Sequence, residues 1–292
     1  MRFSYAEAMC DPSFYVPLAK AAEAAGYDSF VVPDNLGYPG ASDARYPYTP
    51  DGDNSFLEGK PFLEPFTVIP AMGAVTQRLR FTTLVVKLPV RLPYIVAKQS
   101  TSIAVLTQNR FALGVGLSPW PEDFAVCGQE WRSRGRRMDE MIEIIRGLGT
   151  GEFYEYKGEH YEIRRIKMCP VPTEPIPILI GGHSEPALRR AARVGDGWMH
   201  AGGGDGVPLE DLLERLGELR REYGRDHLPF EVHAISLDGF SADGVRRLED
   251  LGVTDVIVGF RNVYQQGPDS QTLDEKIDAL NRFADNVISA VR

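Results

Sequence analysis

The sequence predicts an α/β protein folded as a (β/α)8 TIM barrel, with insertions after the second strand and before the fifth. Three observations carry that prediction. Eight short runs rich in β-branched residues alternate with eight longer helical patterns, the signature of βαβ units around a parallel sheet. The chain of 292 residues would make two domains at roughly 150 residues each, but a single barrel routinely fills that length. Only two segments break the alternation, and neither is large enough to fold alone. The expected organisation is therefore one domain over 1–292, with an open doubly wound sheet as the alternative assembly of the same units.

The first strand is expected in RFSYAEAM from Arg2, followed by the helical FYVPLAKAAEAAGY. SFVVPDN from Ser29 and RFTTLVVKL from Arg80 supply the next two, with helices in EPFTVIPAMGAVTQ and PYIVAKQSTSIAVLTQ. FALGVGL from Phe111 is the fourth strand and precedes GRRMDEMIEIIRGLG. The second half pairs IPILIGG from Ile176 with PALRRAARVG, and GWMHAGG from Gly197 with PLEDLLERLGELRREYG. FEVHAIS from Phe230 with DGVRRLEDLG, and TDVIVGF from Thr254 with LDEKIDALNRFADNVISAVR, complete the count. Gly26, Gly195 and Gly252 fall just past helix ends, where a left-handed residue is favoured. Ser184 and Pro186 mark a helix start, with a hydroxyl cap and a first-turn proline.

Of the two interruptions, residues 36–60 are rich in Gly, Pro, Asp and Tyr, and a loop this long is functional or disordered. Its Tyr38, Tyr46, Tyr48 and Phe56 suggest an aromatic lid that shapes the substrate site. Residues 151–175 alternate aromatic and charged side chains around Lys157-Gly158 and read as a hairpin.

Composition narrows the function. A net charge of −9 argues against nucleic acid as the main partner, which calls for a basic footprint, though not against a small anionic ligand held locally. Cys10, Cys127 and Cys169 have no paired spacing, which fits a reducing compartment and excludes a disulfide framework or a cysteine zinc site. His160, His183, His200, His227 and His233 contain no i, i+4 pair, so no metal is expected. No apolar stretch follows Arg2 as a signal peptide would require, and no run of 18 apolar residues spans a membrane. A cytoplasmic location follows as an expectation.

In such a barrel, chemistry sits at the C-terminal ends of the strands. ILIGGHSEPALRRAA ends a buried strand in Gly181-Gly182 before the helix start at Ser184, a ready anion or phosphate site, or else a tight turn that binds nothing. Gly114-Val115-Gly116 superficially resembles a dinucleotide fingerprint but fails as one, because Pro119 replaces the third glycine and the run continues a strand. It reads instead as a glycine-lined strand that a flat ring can approach. Asp34-Asn35 closes the second strand, where a carboxylate could orient substrate or exchange a proton, or simply form an Asx turn. Lys87 faces either the barrel mouth or solvent. Arg261 suits a phosphate or carboxylate, or pairs with a neighbouring acid. Arg132, Arg134, Arg136 and Arg137 enter a helix against its dipole, inviting an anionic partner or surface salt bridges with Glu130, Asp139 and Glu140. Trp198 reads as core.

AAEAAGYDSFVVPD, LRFTTLVVKLPVRLPYIVAKQ, FALGVGLSPWPEDF, SRGRRMDEMIEIIRGL and PIPILIGGHSEPALRRAARVGDGW, in this order, resemble the luciferase-like monooxygenase family, and within it the stand-alone coenzyme F420-dependent oxidoreductases. The resemblance implies a flavin or deazaflavin in the barrel mouth and frequently a homodimer. Thr83, Val85, Val86 and Lys87 match the third-strand bulge under the cofactor ring, often shaped by a non-proline cis peptide. Gly114 and Gly116 match the fourth-strand floor, and Gly181, Gly182, His183 and Ser184 the cofactor-phosphate loop. Asn35 stands where many relatives have His, and neutral Asn cannot shuttle a proton. Proton transfer then falls to Asp34, or to His200 as a substitute. The resemblance implies hydride transfer between F420 and a small organic substrate. A flavin mononucleotide (FMN)-dependent monooxygenase or a non-catalytic ligand-binding barrel are the alternatives.

Overall fold

The computed structural model describes residues 1–40, 42–49, 51–203 and 206–292. Alternation along the first strand sets the architecture. In β1 (Arg2–Ala6), Phe3 and Tyr5 join the apolar layer beneath the helices, while Ser4 and Ala6 face the barrel interior. The same logic runs through β2 (Ser29–Val32), β3 (Arg80–Thr83), β4 (Val86–Lys87) and β5 (Phe111–Gly116). A hairpin, β6 (Phe153–Lys157) and β7 (Glu162–Lys167), then intervenes before β8 (Ile178–Gly181), β9 (Gly197–His200), β10 (Glu231–Ile235) and β11 (Asp255–Val258).

The large sheet runs β3-β2-β1-β11-β10-β9-β8-β5-β4, and β3 also pairs with β5, closing the ring. Every pairing in it is parallel. Because β3 and β4 are two pieces of one stave, the barrel has the eight staves that the alternation predicts, not an open sheet.

Helices α1 (Tyr15–Ala24), α2 (Pro65–Gly73) and α3 (Pro93–Leu106) return the chain after the first three staves. After β5 come α4 (Pro121–Val126) and α5 (Arg134–Gly149). Then follow α6 (Glu185–Val194), α7 (Leu209–Glu222), α8 (Ala242–Asp250) and α9 (Leu273–Phe283). The closing helical pattern is interrupted: α9 runs into a π-helical turn at Ala284–Ile288 and a last helical turn, α10 (Ser289–Val291).

The inside of the barrel is a packed core. Val31, Ala112, Leu179, Met199 and Ile257 fill its middle, one from each of five staves. Towards the N-terminal ends of the strands the interior turns polar, with Glu231 on His233 at 2.7 Å and Asp255 on Arg2 at 2.9 Å. Burial alone would raise the Glu231 pKa. The His233 hydrogen bond and the charges of Arg80, His233 and Arg2 outweigh it and draw the carboxyl from 4.5 to about 2.

The hairpin is antiparallel and largely solvent-facing, as its alternation predicts. The described residues of 36–60 form no strand. Their Phe56 and Leu57 bury against Met9 and Trp120 in a small apolar cluster of their own; Ala41 and Pro50 of this loop lie outside the described residues.

Two local expectations need correcting. Gly26 and Gly252 have φ of 88° and 91°, but Gly195 is extended at φ −76°, ψ 156°. Its lack of a side chain is steric, since a Cβ there would come within 2.7 Å of the Ala191 carbonyl. Ser184 does hold the N-cap position of α6, yet its hydroxyl makes no capping hydrogen bond.

Candidate active site

The third stave breaks at its C-terminal end. Thr83 Oγ1 donates to the Gly114 carbonyl at 2.7 Å, the Leu84–Val85 peptide is cis, and the strand resumes at Val86, paired with Val115. The break throws Val85 inward between β5 and β8. A Cβ on Gly116 would stand 2.6 Å from Val85 Cγ2, and one on Gly181 would stand 2.7 Å from Val85 Cγ1. These glycines therefore let the bulge valine seat between two staves. Gly114 has the same meaning one layer down, where a Cβ would overlap the Thr83 carbonyl. Gly114 and Gly116, expected as the floor under a flat ring, leave the room that the bulge itself occupies.

Above Val85 opens a cleft of about 400 Å³, lined on this side by Gly116, Gly181, Gly182 and Ser184 and covered by Tyr48 of the long loop. Gly182 adopts φ 118°, and its carbonyl accepts from the Trp198 indole at 2.8 Å. Trp198 is fully buried, so it is core as expected, and it also fixes the turn into α6. The opposite side of the cleft comes from Arg132, Arg134 and the first turns of α5.

Beside the bulge lies a polar hub. Lys87 is buried, and its Nζ donates to Asn35 Oδ1 and to Asp123 Oδ2, both at 2.8 Å. Ser118 Oγ donates to the same Asp123 oxygen and accepts from the Trp120 amide. Asp34 accepts from the Lys87 amide at 2.8 Å and binds Arg91 through both oxygens, at 2.8 and 2.9 Å. A carboxylate whose side chain is 1% exposed and held by a bidentate guanidinium is placed to fix β4, not to exchange protons with a ligand. The geometry thus does not favour Asp34 as the acid or base. Asn35 points its side-chain carbonyl at Lys87.

His183 and His200 stack with ring centroids 4.5 Å apart and planes 14° apart. His200 Nδ1 lies 3.1 Å from the Ile235 carbonyl and 3.3 Å from the Gly202 amide, so an acceptor and a donor meet the ring at the same nitrogen. His183 Nε2 accepts from the Ala201 amide at 3.3 Å, and its ring meets Tyr48 edge-on at 5.8 Å. His183 thus meets the cleft-lining Tyr48, and His200, itself buried, is stacked on it.

The aromatic side chains of the long loop form one packed assembly. Tyr46 stacks on Trp120 at 5.9 Å and meets Phe56 at 5.3 Å, while Phe56 meets Tyr264 at 5.2 Å. Burial pushes the Tyr46 phenol up, so it stays a neutral hydroxyl. Three loops at the mouth are joined this way. Arg261 takes the second of its two expected roles, standing 3.3 Å from Asp269 in a buried network with Glu7 and Lys276.

Of the expected cofactor residues, Val85, Gly116, Gly181, Gly182 and Ser184 line the cleft. Thr83, Val86 and Gly114 sit beneath it, and Lys87 and His183 flank it. Asp123 and Arg91 were not singled out. The start signature of α4, Pro121 followed by Glu122 and Asp123, was available for Asp123.

The closed parallel barrel with its broken third stave thus carries a cleft over the C-terminal ends of β5 and β8 that runs to a helix N-terminus, the end of the barrel where (β/α)8 enzymes place their active sites. The model of the luciferase-like monooxygenase family matches residues 4–238, and the chain belongs to that family of oxidoreductases and monooxygenases. An uncharacterized protein of Mycobacterium tuberculosis is 60% identical over 291 residues, covering 100% of both chains. The F420-dependent glucose-6-phosphate dehydrogenase of Nakamurella multipartita is 29% identical over 243 residues, 82% of this chain and 67% of that one. The crystal structure of the monooxygenase RslO1 from Streptomyces bottropensis superposes with a TM-score of 0.77 at 17% identity, over 100% of both chains. No helix among the described residues is long and apolar enough to cross a membrane.

Proposed function

We propose that this protein is an oxidoreductase that transfers hydride between the deazaflavin coenzyme F420 and a small organic substrate. The observation that carries the reading is the cleft itself: an apolar Val85 platform at one end and small residues before the α6 N-terminus at the other. That pairing fits a flat ring joined to a phosphate. The relative named as F420-dependent supports the deazaflavin over FMN.

When bound, the coenzyme supplies a carbon that accepts or releases hydride. The chain's own residues do the rest. Val85 carries the ring face; Gly182 and Ser184 offer small, amide-rich backbone to the phosphate. Tyr48 and the aromatic assembly around Tyr46 exclude water. His200 stacks on His183, which meets the cleft-lining Tyr48, and we assign it the substrate proton. Lys87 ties Asn35 to Asp123 beside the bulge, and Asp34 with Arg91 fixes the strand that bears it.

The test is a titration of the purified protein with F420 and with FMN, followed by steady-state turnover of His200→Gln. Micromolar or tighter F420 binding is expected, with turnover of the variant reduced by about 100-fold or more and its cofactor affinity kept. Tight FMN binding with no F420 binding overturns the cofactor, and unchanged turnover in the variant overturns the proton assignment.

A further inference from the structure

The chain carries 41 acidic residues against 32 Lys and Arg, yet the cleft is lined by Arg132, Arg134 and Arg190 and by no Asp or Glu. The neighbouring acids are engaged elsewhere. Asp139 takes Arg190 at 2.7 Å and Arg193 at 3.0 Å, and Glu185, in the first turn of α6, pairs with Arg189 and Arg215. Of the four arginines that open α5, Arg136 pairs with Glu159, and Arg137 is spent on carbonyl and side-chain oxygens inside the protein. Arg132 and Arg134 have no carboxylate partner among the described residues.

Arg134 is nonetheless held in place. Its guanidinium lies 3.7 Å over the Trp131 ring, with Nη1 donating to the Trp131 carbonyl at 3.0 Å. Its Nε is buried without a hydrogen-bond partner, and desolvation pulls its pKa down. An anion beside it would relieve both. Gly135 and Ser184 bring the starts of α5 and α6 to the same cleft, and each helix end adds roughly half a positive charge. The side chains and helix ends together present about three positive charges. A terminal phosphate supplies only about two negative ones.

We propose that the cleft is built for a ligand that stays anionic beyond its phosphate, with Arg132 and Arg134 holding a carboxylate-bearing tail; this rests on the deazaflavin reading above. FMN ends at its phosphate, whereas coenzyme F420 continues into such a tail. The two arginines would then select between the cofactors at the end remote from the ring.

The test measures Kd by fluorescence titration for F420 and for the same deazaflavin ending in a 5′-monophosphate, at low and raised ionic strength. Arg132→Gln combined with Arg134→Gln is expected to weaken F420 by about tenfold, to flatten its salt dependence, and to change the monophosphate by less than about threefold. Arg132→Gln alone, at an exposed position, should give a fraction of the loss without altering the melting curve, and Arg132→Lys should recover most of it. Equal weakening of both ligands, or no weakening of F420, overturns the tail assignment. If the parent binds FMN and neither deazaflavin, the proposed cofactor has failed instead.

Discussion

Removing the Lys87 ammonium tests whether the polar hub is a single electrostatic unit. Lys87 and Asp123 expose 8% and 9% of their side chains and meet at 2.8 Å. Lys87→Met leaves the Asp123 carboxylate buried with Ser118 as its remaining side-chain partner. Orphaning one member of a buried pair costs about 3–5 kcal/mol, whereas replacing both by apolar groups is close to neutral. Lys87→Met and Asp123→Leu should therefore each lower stability by about 3 kcal/mol or more. The double variant should fall short of their sum by at least about 2 kcal/mol. Urea unfolding followed by circular dichroism on the four proteins gives the coupling directly. Additivity within about 0.5 kcal/mol would refute the reasoning, because independent sites add to that precision.

The remaining predictions concern other parts of the molecule. Gly181→Ala pushes a methyl to 2.7 Å from Val85 Cγ1 and should cost about 1–3 kcal/mol; adding Val85→Ala should restore much of that loss in the same urea assay. Gly114→Ala meets backbone at Thr83, so it should cost at least as much, and no side-chain truncation at Val85 should rescue it. The Glu231 carboxyl, lowered from 4.5 to about 2, contributes stability that is fully present above about pH 5 and is lost as pH falls towards 2. That shift corresponds to about 3 kcal/mol, so Glu231→Gln should be less stable at neutral pH and show a flatter acid limb in denaturation midpoint against pH. Cys10 is buried, with its thiol pushed up to about 12 mainly by desolvation, and should not react with a disulfide reagent in the native state. Cys169 is exposed and should react at once.

What the sequence made legible follows from how local each signal is. Strand and helix periodicity depends on neighbours a few residues apart, so all eight staves and their return helices could be counted. The bulge at Thr83–Lys87 was legible through resemblance, and the structure places a cis peptide within it. The hub was not legible, because its contacts join Asn35 to Lys87 across 52 residues and Lys87 to Asp123 across 36. Nothing in the period-2 pattern of β4 says which way Lys87 turns. The same limit applies to Asp34, whose role is decided by Arg91, 57 residues away, and to the stacking of His183 on His200. The cations at the start of α5 were visible as a conflict with the helix dipole. Only the structure divides them into Arg136 and Arg137, which are satisfied internally, and Arg132 and Arg134, which face the cleft.

We propose above all that the bulge, the two glycine-bearing staves and the α6 N-terminus form one cofactor cradle. A crystal structure of the protein with oxidised F420 tests it most directly. The expected result is the deazaflavin ring packed on Val85, its phosphate within hydrogen-bond distance of the Gly182–Ser184 backbone, and the tail running towards Arg132 and Arg134. A ring bound away from Val85, or a phosphate turned away from α6, would contradict it.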